Sequence, residues 1–560
     1  MKTSISYSIL LLTFLLTGFA CQNEKPKAID ELSNLELLRG DLILCSGTEF
    51  GDISFALSCD YSVREAFDLA VSLLHSFEYR EAEKAFVNVI DADPECAMAY
   101  WGVAMSIYHE LWTAPKESDL KKGARLIEIA RTLEMDERES AYLEAIATYY
   151  EDWQTLDHKT RAKKYEKAME ALYKSDSSDV EATVFYSLAL NSTADPKDET
   201  LSNQRKAGAI LEELFKERPN HPGIAHYIIH NYDNPPLAHK ALETARRYAD
   251  IAPSSAHAQH MPSHIFTRLG LWDESISSNI NSANSAVCYV EEAGMEGHWF
   301  QEIHAIDYLV YAYLQKGDNV RAQAQYEYLK SMTNVNPEGL FAVAYPFAAI
   351  PARLALENKD WQGATAVEVH KSNLDFEKFP WQEAIVHYAR ALGGCRSGDL
   401  ELAKSEIQVL NDLHDRLEEK EGNEYFANQV LIQIRTCEAW LALGNGDQEL
   451  ALETMKEAAQ MESSTNKHPV TPCEVLPAAE LLGDMLMILD KPEEALAAYQ
   501  ENLRMRPNRL NSLYGAALAS KEMGKTEETK MYFEQLAELG EGNAQQRQEL
   551  KEAEAYIVQI

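Results

Sequence analysis

An all-α solenoid of stacked helix pairs is the fold that this 560-residue sequence predicts, and three observations carry it. Glycine (25) and proline (19) are scarce while Ala, Leu and Glu abound, which favours helix over sheet. Small residues recur at a spacing of 34, with an aromatic or large aliphatic a few positions later and often a proline after that. The 46% apolar and 25% charged residues are ordinary for a soluble globular chain. A chain of this length would otherwise divide into about three to five domains; in a repeat array, length counts units instead.

The chain begins with Lys2, then an apolar run too short to span a membrane comfortably, ending Gly18-Phe19-Ala20 before Cys21. This layout predicts a lipoprotein signal peptide over 1–20, with Cys21 lipidated as the mature N-terminus, although Gly18 stands where such signals usually have leucine. Residues 21–62 read as a tether and short non-repeat segment. Gln22 after the cysteine favours the outer membrane of a bacterial envelope, with the lipid as the only membrane contact. Cys45 and Cys59 flank a glycine-containing stretch; a disulfide between them would contribute roughly 3 kcal/mol after export, and two unrelated free thiols are the other reading. No C-x-x-C pair is present, so no zinc ribbon or dithiol motif is expected.

The repeats start at Val63. Residues 63–96 carry Ala70, Ala82, Phe86 and Pro94. Small residues let two antiparallel helices touch, the aromatic fills the groove beside them, and proline stops the second helix. These spacings resemble the tetratricopeptide repeat. Ala207 and Ala241 repeat the pattern at an interval of 34, followed by Ser275. Ala322, Ala364, Ala403, Ala451 and Ala495 with Tyr499 continue it, and Phe533 follows Tyr499 by another 34. About a dozen helix pairs fit between 63 and 545, in two stretches, 63–335 and 336–545, before a helix end over 546–560. The register is blurred over 112–160. Gly524-Lys525-Thr526 ends like a phosphate loop, but Ala519 occupies the first glycine position, so it reads as a turn between helices.

Seven of the sixteen histidines fall between 221 and 264. His226 and His230 are four apart, so they share a helix face, and His260 and His264 repeat the arrangement 34 residues later. The resemblance implies that the first helix of each repeat lines a concave groove. On that register His75, Trp101, His109, His226, His230, Asp233, His260, His264, His304 and Asp307 face it as candidate ligand contacts. Four imidazoles, His226, His230, His260 and His264, would converge on one patch. Neutral imidazole is the commonest side-chain ligand of Zn and Cu, which makes a divalent transition metal one reading of the patch. A peptide or small organic ligand is a second, and hydrogen-bonded spacers between helices a third.

The stretches LLHSFEYREAEKAF (73–86), CAMAYWGVAMSIYHELW (96–112), HYIIHNYD (226–233), HMPSHIF (260–266) and HAIDYLVYAYLQKGD (304–318) are similar to a family of large bacterial tetratricopeptide-repeat proteins. The resemblance implies the solenoid and brings no reaction with it. A lesser likeness is to SusD-like glycan-binding lipoproteins, which interrupt their helices with long loops that this chain lacks. No H-E-x-x-H helix or G-x-G-x-x-G loop is present, so the expectation is a binding protein and not an enzyme. Fifty-two Lys plus Arg against 89 Asp plus Glu give a net charge of −37, which argues against nucleic acid as partner. The favoured expectation is an envelope scaffold holding a protein or peptide in its groove; the alternative is a metal or small-ligand binder using the histidines.

Overall fold

The computed structural model describes residues 35–559 and Leu32, apart from 46, 112–113 and 370–371. The expected signal peptide and Cys21 lie outside the described residues. The fold is an α-solenoid of tetratricopeptide type. Twelve helix pairs run from Arg64–His75 with Tyr79–Ala92 to Leu510–Glu522 with Thr526–Leu539, and Gln548–Gln559 closes the stack. The blurred stretch resolves into ordinary pairs, Ala97–Tyr108 with Glu117–Ala130 and Glu137–Tyr150 with His158–Ser175. Among the described residues, the one small sheet joins His298–Trp299 to Val335–Asn336 in parallel. No helix there is long and apolar enough to cross a membrane.

The small residues of the 34-residue pattern do what close packing requires of them. Ala70, Ala82, Ala207, Ala241, Ser275, Ala322, Ala364, Ala403, Ala451 and Ala495 are all fully buried. The aromatic positions wedge against glycines: a Cβ on Gly102 would lie 2.3 Å from the Phe86 ring, and Tyr499 is gripped from both sides by Gly483 and Gly515. Interiors this dense leave no space for an added methyl group. Gly524 has φ +71 and turns the chain into Thr526–Leu539, as the sequence indicates for a turn and not a phosphate loop.

Residues 35–60 lie along the solenoid as a strap. Phe50, Phe55 and Leu57 are buried in its core, and backbone amides of Leu38 and Ile43 donate to Glu83 and Glu81. This path corrects the Cys45–Cys59 bridge expected from sequence. The strap carries each cysteine to a different helix, so Cys45 pairs with Cys288 and Cys59 with Cys96.

Distant repeats also meet, so the concave side closes on itself. The Trp272 indole donates to the Asn508 carbonyl (2.8 Å), and the Asn508 amide donates back to Gly270 (3.2 Å). Arg509, fully buried, bridges Glu357 and Glu480. Residues 464–477 run along the inner side, with 471–473 and 475–477 buried. Tyr308 donates to the Thr471 carbonyl (3.2 Å), Tyr345 and Arg353 donate to the Cys473 carbonyl, and Lys467 reaches Asp233 (3.4 Å). What the repeat register makes a groove wall is here lined by the chain's own segment.

Candidate metal centre

That closure explains where the predicted groove residues lie. Trp101 is not in a groove: it is buried among Phe55, Phe86, Tyr142 and Phe185. His109 caps Ala97–Tyr108 in the left-handed region (φ 49) and packs at a tilt on Tyr79 (4.3 Å between ring centroids). Asp307 is buried in an ion pair with Arg353. The four imidazoles expected on one patch divide between two neighbouring triads. His226 and His230 cluster with His257, whereas His260 and His264 cluster with His304; within each triad one ligand atom per ring lies within 4.8 Å of the others. The i, i+4 pairs hold, but each acquires a third ring from elsewhere.

A third cluster, His75 with Glu181 and His221, shows what a satisfied network looks like. His75 accepts from the Tyr227 hydroxyl at Nδ1 (2.9 Å) and donates from Nε2 to Glu181 (2.8 Å). His221 accepts the Ile224 backbone N–H at Nδ1 (3.3 Å), as the N-cap of Pro222–Tyr232, and donates to the other Glu181 oxygen (3.0 Å). Each neutral ring has one donor and one acceptor used, so this cluster braces helices. Gly223 makes room for it: a Cβ there would sit 2.6 Å from His75. Sequence reasoning assigned His75 to ligand contact and missed Glu181 and His221.

The His260, His264 and His304 triad does not close in that way. His260 Nδ1 lies 2.6 Å from the Asn279 side-chain oxygen, and the Asn279 amide is committed to the Ser275 carbonyl (2.7 Å). Nδ1 of His260 must therefore be the protonated nitrogen, leaving a lone pair on Nε2. His264 Nδ1 lies 2.9 Å from Asp233. Arg268 and Lys467 also hold that carboxylate, and these two cations with the His264 N–H keep its pKa well below the usual range despite burial. His264 therefore donates from Nδ1 and also has its lone pair on Nε2. The two Nε2 atoms face each other at 3.0 Å with no donor between them.

His304 is 3% exposed, and its Nδ1 is buried without a hydrogen-bond partner. Burial, then the neighbouring histidine charges, pushes the His260 pKa well below its ordinary value and that of His304 to about 3. A proton between the rings is thus disfavoured, and a metal ion is the cation that such lone pairs suit. Zn–N bonds of about 2.0–2.1 Å at a tetrahedral angle separate two nitrogens by about 3.3 Å, so a widening of a few tenths of an ångström accommodates one. The Asn279 and Asp233 contacts are the outer partners that fix ligand tautomers at metal sites.

No family model matches the sequence, and no curated protein does. Solved structures similar to it include yeast Tom70, at 12% identity over 89% of this chain and 96% of that one, with a TM-score of 0.32. A human IFIT1 dimer with PPP-AAAA aligns at 13% identity over 92% of this chain and 100% of that one (TM-score 0.34). The Cut9–Hcn1 hetero-tetramer of the APC/C aligns at 12% over 88% and 90% (TM-score 0.27). At these scores the likenesses carry no argument about function.

Proposed function

We propose that this protein is an exported solenoid that binds a transition-metal ion of the zinc or copper class through His260, His264 and His304. The observation that carries the reading is the pair of Nε2 lone pairs held face to face by Asn279 and Asp233. Residues 464–477 cover the site, with Lys467 on Asp233, so the ion would be retained away from water. The two disulfides suit an oxidising compartment, and with the leader over 1–20 and Cys21 they support a lipid-anchored place in a bacterial envelope. The net charge of −37 supports a partner other than nucleic acid. Titration calorimetry of chelator-stripped protein with Zn²⁺ and Cu²⁺ tests the reading. Binding that His264→Ala weakens at least tenfold is expected; equal affinity in the variant would overturn it.

A second reading, the peptide-holding scaffold, is favoured by one observation. The repeats already grip an irregular segment of backbone, with Tyr308, Tyr345 and Arg353 donating to the carbonyls of Thr471 and Cys473. Side chains that bind carbonyls accept any sequence, which suits a peptide partner elsewhere along the inner wall. A pull-down from envelope extracts with and without chelator separates the two: a partner retained in chelator supports the scaffold.

A further inference from the structure

The structure assigns a second metal site to His226, His230 and His257, beside the first but with its own three ligands. The inference shares with the reading above the class of ion and nothing else, because its ligands and its outer contacts differ.

His226 Nδ1 lies 2.6 Å from the His75 backbone carbonyl, an atom that can only accept. The proton is therefore on Nδ1, and the Nε2 lone pair points inward, 3.1 Å from Nε2 of His257. His230 approaches from one helical turn along Pro222–Tyr232, with ring centroids 4.7 Å apart, and its Nε2 is buried without a hydrogen-bond partner. One ring nitrogen of each lies within 4.8 Å of the other two. Phe77 packs on all three rings (4.4, 5.4 and 5.5 Å between centroids) and Tyr248 stacks on His226, so an aromatic wall fixes the ring planes. No carboxylate belongs to the triad; the donor set is imidazole alone, which suits Zn and Cu and not Mg or Ca.

The two triads are neighbours. His257 and His260 lie three residues apart on Ala256–His260, and each serves a different triad. Five of the six rings are buried, and only His230 is half-buried. His230 is thus the ligand nearest the surface of the second site, while the first lies beneath residues 464–477.

The test is a count of zinc per chain. Full-length protein is stripped with chelator, equilibrated with ZnCl₂, freed of unbound ion and analysed by inductively coupled plasma mass spectrometry. Two zinc ions per chain are expected, falling to one in His230→Gln and in His264→Gln, and to none in the double variant. His230 is the least buried of the three ligands; a thermal melt of each apo variant verifies folding, and His257→Gln provides an independent loss of the same ion. One zinc per chain, lost in His264→Gln but retained in His230→Gln, overturns the second site and leaves the first standing. Two ions retained in both His230→Gln and His257→Gln also overturns it. Absence of zinc from the folded wild type overturns both.

Discussion

A neutral imidazole has one N–H and one lone pair, and that inventory separates the three histidine clusters of this solenoid. His75 and His221 spend both on Glu181, Tyr227 and the Ile224 amide. His260 and His264 spend their protons outward on Asn279 and Asp233 and leave lone pairs facing inward. Asn279→Ala should therefore release the His260 tautomer and weaken metal binding about 10- to 100-fold, measured by competition with a chelating dye. His109 makes a different point. Burial lowers its pKa to about 4, so between about 4 and 6.5 the unfolded chain binds more protons than the folded one. Its contribution to stability is full above the ordinary histidine pKa and is lost as pH falls toward 4. His109→Asn, which keeps a residue tolerant of the left-handed backbone, should give a shallower fall in melting temperature between pH 7 and pH 5 than the wild type.

At the scale of helices, the 34-residue pattern translates directly into contacts because each rule is local. A small residue on one helix and an aromatic on the next are within one repeat of each other, as Phe86 with Gly102 and Tyr499 with Gly515 show. Gly102→Ala places a methyl group inside the Phe86 ring and should cost about 1–3 kcal/mol, read as a lower melting temperature with unchanged helix content. The histidine pairs at four-residue spacing were legible for the same reason. Their third partners were not. His257 lies three residues before His260 yet turns to the other triad, and His304 arrives from the following repeat. The repeat register, which names groove positions, places Trp101 and Asp307 on a wall where the structure has core. Contacts across the superhelix, such as Trp272 with Asn508 or Asp233 with Lys467, leave no periodic trace in the sequence.

At the scale of the whole molecule, two devices turn an open repeat array into a closed body. The strap over 35–60 is fastened by Cys45–Cys288 and Cys59–Cys96. On a chain-entropy account the shorter loop, with a sequence separation of 37, is worth about 4 kcal/mol and the longer, with a separation of 243, about 5.5 kcal/mol, so reductant should lower the melting temperature markedly. The last repeats form the other device. Leu510 donates to Gln315, and Asn511 and Arg547 donate to the Glu357 carbonyl. A chain ending before Leu510 loses those contacts and exposes an apolar helix face, so it should aggregate at temperatures the full chain survives, as light scattering during a melt will show. A truncated chain equally soluble and heat-stable would contradict this view of the closure.

The central claim is that the closed body holds a metal ion between His260, His264 and His304. Anomalous diffraction at the zinc edge, from crystals grown with ZnCl₂ after chelator treatment, tests it most directly. A peak about 2 Å from a nitrogen of each of the three rings is the predicted result. Density maps with no anomalous peak at those rings, and the Nε2 atoms of His260 and His264 turned apart, would contradict it.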